Sequence, residues 1–207
     1  MQCDQCSRLS SFLQSLKSKY PDYHAQPVAA FGDEYPEILI VGLAPGMHGA
    51  NRTGRPFTGD YAGILLYRTL YKYGLATKPE SLTADDELRL LRCRITNAVK
   101  CLPPENKPLP LEIRQCNQYL QFELNEFLNH NGKAIIALGL VAHKAVLMGL
   151  QLPLKPYPFG HGNIHTLTMK KTIKLYDSYH CSRYNTQTKR LTTEMFEQVF
   201  AKITGEL

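Results

Sequence analysis

The sequence lacks a long apolar run, a basic leader and any repeat, and each absence excludes a class of protein. Its longest nearly apolar stretch, Ala134 to Ala142, is far too short to span a bilayer. No basic start followed by an apolar run is visible at the N-terminus, so we expect a cytoplasmic protein that does not bind membranes. Without repeats, linkers or low-complexity tracts, residues 1–207 are expected to form a single domain.

The composition is that of a globular protein with a modest excess of positive charge. Hydrophobic residues make up 43% of the chain and charged residues 20%, which provides enough apolar surface to offset the entropy lost on folding. Lysine and arginine exceed aspartate and glutamate by 24 to 18, for a formal net charge of +6. This excess favours an anionic partner without identifying it.

Short apolar segments alternate with helical patterns along the chain. Four predicted strands cover residues 37–42, 94–99, 134–139 and 172–176, and predicted helices cover 61–73, 111–128, 141–148 and a last segment that begins at Thr192 or Thr193. The spacing implies crossover connections, and hence an α/β fold: a three-layer sandwich with a central, mostly parallel four-stranded sheet flanked by helices. Ligands of such sheets bind beyond the carboxyl ends of the strands, where the loops after strands one, two and four emerge.

Six cysteines in a chain expected to be cytoplasmic make metal ligation the question to test, because disulfides rarely persist there. Cys3 and Cys6 form a C-x2-C pair in an N-terminal extension, residues 1–36, and Cys101 and Cys116 form a C-x14-C pair. Four thiolates complete either a tetrahedral zinc site or a cubane iron–sulfur cluster, and the spacing does not choose between them. Taken singly, Cys101 and Cys116 also suit ordinary buried positions.

A glycine-rich loop, Gly42-Leu43-Ala44-Pro45-Gly46, follows the first predicted strand. Backbone amides in such loops can cradle phosphate, so a phosphate- or nucleotide-binding enzyme is one hypothesis. The loop matches neither G-x-G-x-x-G nor G-x-x-x-x-G-K-[ST], which weakens that hypothesis.

Four segments together resemble the iron–sulfur uracil-DNA glycosylases, and more specifically their B-type, or family 5, branch. These segments cover nearly the whole chain in the family's order: Gly42–Asp60 with its His48-Gly49-Ala50-Asn51-Arg52-Thr53-Gly54-Arg55-Pro56-Phe57-Thr58-Gly59-Asp60 motif, Asn97–Pro108, Ile135–Gly139 and Tyr179–Thr192. The resemblance implies a monomeric, nucleoid-associated enzyme that hydrolyses uracil, and also hypoxanthine and other deaminated bases, from double-stranded DNA. It further implies a structural [4Fe-4S] cluster held by Cys3, Cys6, Cys101 and Cys116.

The resemblance also implies the residues that carry the chemistry. His180 occupies the position of the histidine that donates a hydrogen bond to the uracil oxygen as negative charge develops. Phe57 occupies the stacking position, and Asp60 would stabilise the cationic sugar or orient water. Asp60 also directly precedes a predicted helix, where it is suited to cap the first turn.

Further candidates surround these residues. A side-chain amide can pair with both a donor and an acceptor on uracil, and Asn97 and Asn106 serve that role equally well on sequence grounds. The other base-binding candidates are Gly42, Ala44 and Asn185, and the DNA-contacting candidates are Arg52, Arg183 and Tyr184. Cys181 stands where the family has proline. A non-catalytic iron–sulfur protein that binds DNA remains the alternative from a different class.

Overall fold

The computed structural model describes residues 3–207, and in that range six strands form one sheet. The strands are β1 (Phe31–Gly32), β2 (Ile38–Gly42), β3 (Cys93–Asn97), β4 (Ala134–Leu138), β5 (Ile164–Thr168) and β6 (Thr172–Ser178). Their spatial order is β1-β3-β2-β4-β6-β5. The four central strands β3, β2, β4 and β6 are parallel, as predicted, and the two edge strands are antiparallel.

The predicted count of four strands is therefore wrong, because each edge of the sheet carries one additional strand, β1 or β5. Strand β1 has two residues, too few to show a periodic pattern. Strand β5 buries a single side chain, Leu167, so it carries almost no apolar signal. Both strands exist because a neighbouring strand offers them hydrogen bonds, which is a property of the assembled sheet.

Seven α-helices lie among the described residues: α1 (Ser7–Lys19), α2 (Ala50–Thr53), α3 (Tyr61–Lys72), α4 (Pro110–Asn129), α5 (Leu140–Gly149), α6 (Arg183–Gln187) and α7 (Thr193–Glu206). Helices α3 and α7 pack on one face of the sheet. Helices α4 and α5 pack on the opposite face. Alternation along β2 serves both layers, since Ile38 and Ile40 face the first and Leu39 and Val41 face the second. The predicted three-layer sandwich is confirmed.

The N-terminal extension contributes a helix and a third apolar cluster. Leu9, Leu13 and Leu16 line the buried face of α1 at helical spacing. They pack against Val99, Leu102 and Cys101, which follow β3, and against Cys116 in α4. This helix is absent from the sequence prediction although its spacing is readable. Its packing ties residues 3–25 to the end of β3.

Helix boundaries follow the capping residues of the sequence. The Asp60 carboxylate accepts a hydrogen bond from the Gly63 amide at 2.9 Å, and Thr192 caps α7 by accepting from the Met195 amide at 3.2 Å. Gly74 follows α3 with a positive φ of 69°, the left-handed conformation that ends many helices. Within residues 3–207, no helix is long and apolar enough to cross a membrane.

Candidate active site

Three loops meet at the carboxyl ends of β2, β3 and β6 and enclose a cavity of about 440 Å³. Sites of this kind lie beyond the carboxyl edge of parallel sheets because helices cover both faces. The cavity is lined by Leu43, Ala44, Gly46, Ala50, Phe57, Asp60, Tyr61, Ala62, Asn97, Asn106, His180, Ser182 and Arg183. Seven residues predicted from the sequence are thus brought together, although more than 130 positions separate the first from the last.

Phe57 forms the floor of the cavity in a backbone conformation that bulky residues seldom adopt. Its φ is 54°, and its side chain is buried. A Cβ on Gly42 would lie 2.7 Å from the ring, and a Cβ on Gly63 would lie 1.9 Å from the Phe57 carbonyl oxygen. Glycine is required at both positions because the Phe57 side chain and backbone occupy the space. Gly42 supports the floor from behind the cavity lining.

The two candidate asparagines differ in their surroundings. Asn97 ends β3, is 2% exposed, and pairs with Gly42 across the sheet. Its Oδ1 is buried and has no hydrogen-bond partner in the described part of the chain. Asn106 lies in a short 3-10 turn, Pro104–Asn106, and is exposed. Asn97 therefore lines the cavity with a buried side-chain amide whose oxygen has no partner among the described residues, whereas Asn106 is the exposed one of the two.

Asp60 both caps α3 and lines the cavity. While Oδ1 accepts the Gly63 amide, Oδ2 lies so close to the glycine-rich loop that a Cβ on Gly49 would come within 2.4 Å of it. Burial raises the pKa of the Asp60 carboxyl above its usual range, and backbone hydrogen bonds only partly oppose this shift. The predicted helix cap is therefore present, and the same carboxylate also lines the cavity.

His180 lies opposite Phe57, with ring centroids 5.9 Å apart and planes inclined by 27°. Burial lowers the pKa of His180 to about 4, so its imidazole is neutral near pH 7. Asn185, predicted to bind the base, lies outside the cavity lining and instead donates from Nδ2 to the His180 carbonyl oxygen at 2.8 Å. In this structure Asn185 holds the main chain at His180 in place.

His161, which the sequence analysis did not single out, holds the residue that precedes His180. Its Nδ1 accepts a hydrogen bond from the Tyr179 amide at 3.2 Å, and its ring stacks on Tyr179 with centroids 5.1 Å apart. Burial lowers the pKa of His161, which keeps the accepting lone pair available. The one sequence signal was its position in the loop rich in proline, glycine and aromatic residues between residues 151 and 163.

The predicted DNA contacts lie around the mouth of the cavity. Arg183 lines it and stacks over the exposed Tyr61 ring at 5.9 Å. Tyr184 is 71% exposed, and Arg52 lies in a neighbouring groove that shares Asp60 and Tyr61 with the cavity. Cys181, next to His180, is fully buried, and burial raises its thiol pKa.

A second pocket, which we call the cysteine pocket, is lined by Cys3, Cys6, Cys101 and Cys116. The C-x2-C pair lies before α1, Cys101 follows β3, and Cys116 lies in α4. The Lys100 amide donates to Cys116 Sγ at 3.2 Å. Burial, together with the neighbouring thiols, raises the pKa of Cys101 to about 12. All four residues predicted as ligands therefore meet at one place.

The spacing of the four sulfurs bears on the choice between zinc and a cluster. Among residues 3–207, no three of these cysteines come close enough together to form a site for a single metal ion. A tetrahedral zinc site with Zn–S distances of about 2.3 Å would place them about 3.8 Å apart. All four thiols are free, and the chemistry of the set suits a larger iron–sulfur group.

The cavity and the cysteine pocket are joined by five consecutive residues, from Asn97 to Cys101. Within that segment, Lys100 is 1% exposed and its Nζ pairs with both carboxylate oxygens of Glu123, at 2.7 and 2.9 Å. The same Nζ contacts the Thr96 hydroxyl. This buried pair anchors the segment to α4 between its two functional ends.

Comparisons with known proteins agree with this geometry. The family model described as the uracil DNA glycosylase superfamily matches residues 29–204. A type-5 uracil-DNA glycosylase of Thermus thermophilus is 45% identical over 202 residues, which cover 95% of this chain and 90% of that protein. A type-5 enzyme of Pyrobaculum aerophilum is 36% identical, covering 99% and 88% of the two chains. A type-4 enzyme of Archaeoglobus fulgidus is 30% identical, covering 100% and 88%.

Proposed function

The chain belongs to the uracil DNA glycosylase superfamily, and from that premise we propose how its cavity removes uracil from DNA in DNA repair. The enzyme is a hydrolase that cleaves the N-glycosidic bond and leaves an abasic site. The observation that supports the assignment of residues is the convergence of Phe57, Asp60, Asn97 and His180 on one cavity. The two alternative functions lose their basis, since the family match extends over most of the chain.

The base enters the cavity after it is flipped out of the duplex. Uracil stacks on the Phe57 ring, which packs closely against Gly42 on the side away from the cavity. Asn97 reads its Watson–Crick edge, because a side-chain amide can accept from the ring N–H and donate to the adjacent carbonyl oxygen. Asn97 is the better reader than Asn106 because it is held rigidly at the end of β3.

His180 stabilises the departing base. As the glycosidic bond lengthens, negative charge develops on the uracil oxygens, and a neutral imidazole N–H directed at one of them lowers the energy of that state. The stack against Phe57 limits rotation of the ring, and the Asn185 side chain fixes the main chain that carries it. His180 is thus preorganised before the substrate arrives.

Asp60 acts on the sugar side of the bond. As a carboxylate it stabilises the positive charge on the deoxyribose and orients the water that attacks the sugar. Its hydrogen bond to the Gly63 amide holds the carboxylate in place at the start of α3. Ala44 and Gly46 line the wall between Asp60 and the base.

The substrate is double-stranded DNA that carries uracil or another deaminated base, bound by a monomer. Arg183 and Tyr184 contact DNA at the mouth, and Arg52 contacts a phosphate in the neighbouring groove. The net charge of +6 suits this partner, and the nucleoid is the corresponding location.

A [4Fe-4S] cluster bound by Cys3, Cys6, Cys101 and Cys116 completes the protein. These thiols must be ionised to act as ligands, and the positive charge of the iron would compensate for the burial that raises the pKa values of Cys6, Cys101 and Cys116. Its role is structural, since the four ligands join the N-terminal segment, the loop after β3 and α4.

The test uses a uracil-containing duplex and measures alkali-labile abasic sites. Asp60→Asn keeps an N-cap, because asparagine caps helices as well as aspartate does, so its expected loss of about 10²- to 10⁴-fold in kcat reports on chemistry. His180→Ala is expected to lose about 10²- to 10³-fold. The matched controls are the exposed residues Asp85→Asn and His130→Ala, which should retain activity. Undiminished cleavage by both cavity variants would refute the roles assigned to them.

A further inference from the structure

Three metal-ligating side chains converge outside both the cavity and the cysteine pocket. His143 on α5, His165 on β5 and Asp177 on β6, here called the His-His-Asp cluster, bring their ligand atoms within 4.8 Å of one another. The side chains are 2%, 10% and 0% exposed, respectively. Buried histidine and aspartate on three separate elements are the donor set of many zinc sites.

The hydrogen bonds of His143 orient it toward this centre. Its Nε2 lies 2.9 Å from the Tyr157 carbonyl oxygen, which can only accept, so Nε2 carries the proton. The remaining Nδ1 faces Asp177 Oδ1 at 2.7 Å. Two lone pairs therefore point at each other, and only a positive species between them, a proton or a metal ion, makes the contact favourable.

The second histidine extends the same arrangement. His165 Nε2 lies 3.2 Å from Asp177 Oδ2, on the other carboxylate oxygen. Aside from a long contact of 3.4 Å from the Gly160 amide, the two imidazoles are the hydrogen-bond partners of the Asp177 carboxylate among the described residues. One carboxylate between two imidazoles thus lies buried at the end of β6.

We propose that the His-His-Asp cluster is a structural site for a divalent transition-metal ion such as Zn²⁺. Imidazole and carboxylate ligands suit this class of ion, and a ligating histidine commonly donates its other N–H to a backbone carbonyl, as His143 does. Tetrahedral coordination with metal–ligand distances of about 2.0–2.1 Å places ligand atoms about 3.3 Å apart. The His165–Asp177 Oδ2 distance of 3.2 Å is close to that value, and the His143–Asp177 Oδ1 contact of 2.7 Å must widen when the ion replaces the proton.

The ion would add a direct link among four segments, α5, β5, β6 and the loop between residues 151 and 163. Ligation joins α5, β5 and β6, and through the Tyr157 carbonyl it fixes the loop between residues 151 and 163. That loop carries His161, which holds Tyr179 next to the histidine of the cavity. The site is too buried for substrate access, so its effect is on stability. It stands independently of the assignments made for the cavity.

Cobalt binding tests the proposal on the complete protein with its cysteine pocket filled. Co²⁺ bound by nitrogen and oxygen gives weak ligand-field bands, whereas Co²⁺ bound by cysteine adds an intense thiolate-to-metal charge-transfer band. We expect one equivalent of Co²⁺ with the first spectrum, displaced by Zn²⁺, and a melting temperature that rises with Zn²⁺ concentration. Asp177→Asn and His143→Gln should abolish both effects, while the exposed His130→Gln should retain them.

Variants at buried positions also need a fold control. His165→Gln removes a ligand from an edge strand with less disturbance of the core, so it should fold and still lose the metal. Absence of Co²⁺ binding by the wild type, a spectrum with thiolate bands only, or equal binding by His165→Gln would each overturn the proposal. The cluster would then be a proton-bridged hydrogen-bond network.

Discussion

The cavity and the cysteine pocket lie at opposite ends of the same five residues, yet they are built for different ligands. In the cavity, Phe57, Asp60 and His180 lie together with Asn97, whose side-chain oxygen has no partner among the described residues. In the cysteine pocket, three of the thiols have raised pKa values and sit in an apolar cluster. This difference fits our proposal that the first region binds a transient ligand and the second a permanent one.

The largest effect is expected from removing a cysteine ligand, which tests whether the cysteine pocket holds a permanent group. Cys101→Ala should abolish the brown colour of the cluster and lower the stability of the protein by several kcal/mol, since metal binding and folding are coupled at such sites. Absorption spectroscopy and thermal melting measure the two effects. Cys93→Ala, at a buried thiol outside the pocket, is the control and should keep its colour. An intact chromophore in Cys101→Ala would refute that ligand.

The next largest effect separates the two asparagines of the cavity. Asn97→Ala leaves the polar edge of uracil unpaired and should reduce kcat/KM on the order of 10- to 100-fold, at about 1–3 kcal/mol per lost partner. Asn106→Ala, at the mouth, should lose much less. Single-turnover cleavage of a uracil-containing duplex measures both. Equal losses would contradict the preference for Asn97.

The pH profile tests the electrostatics of the cavity. Because Asp60 acts as a carboxylate and burial raises its pKa, activity should be present above that pKa and fall about tenfold per unit as the pH drops through it. His180, with a pKa of about 4, should add no limb near pH 6.5. The profile of kcat/KM measures this, and Asp60→Asn should lose the acid limb. A limb that persists in that variant would assign it to another group.

The smallest predicted effect lies in the neighbouring groove. Arg52→Ala removes one phosphate contact, so the slope of log K against log salt for duplex binding should become less steep by about one. Fluorescence anisotropy over a salt series measures the slope. Lys155→Ala, at an exposed position outside the cavity lining, is the control and should leave it unchanged. An unaltered slope for Arg52→Ala would exclude the contact.

Much of the fold is readable from local patterns because buried parallel strands are apolar on both faces. That pattern predicts the four central strands, and side-chain chemistry predicts the caps at Asp60 and Thr192. The edge strands were missed because Phe31–Gly32 is too short, and Ile164–Thr168 too exposed, to produce such a pattern. Their pairing depends on the neighbouring strand.

The sequence by itself determined which chemistry is present: a strand-end asparagine, an aspartate before a helix, a histidine after the last parallel strand, and four cysteines in two pairs. The tertiary structure decided how these groups behave. Burial makes His180 neutral and raises the pKa of Asp60, and the choice of Asn97 over Asn106 rests on their different exposure. The roles of His161 and of the His-His-Asp cluster also depend on contacts between distant segments. Solvation and such contacts arise only when the chain is folded, so no local pattern encodes them.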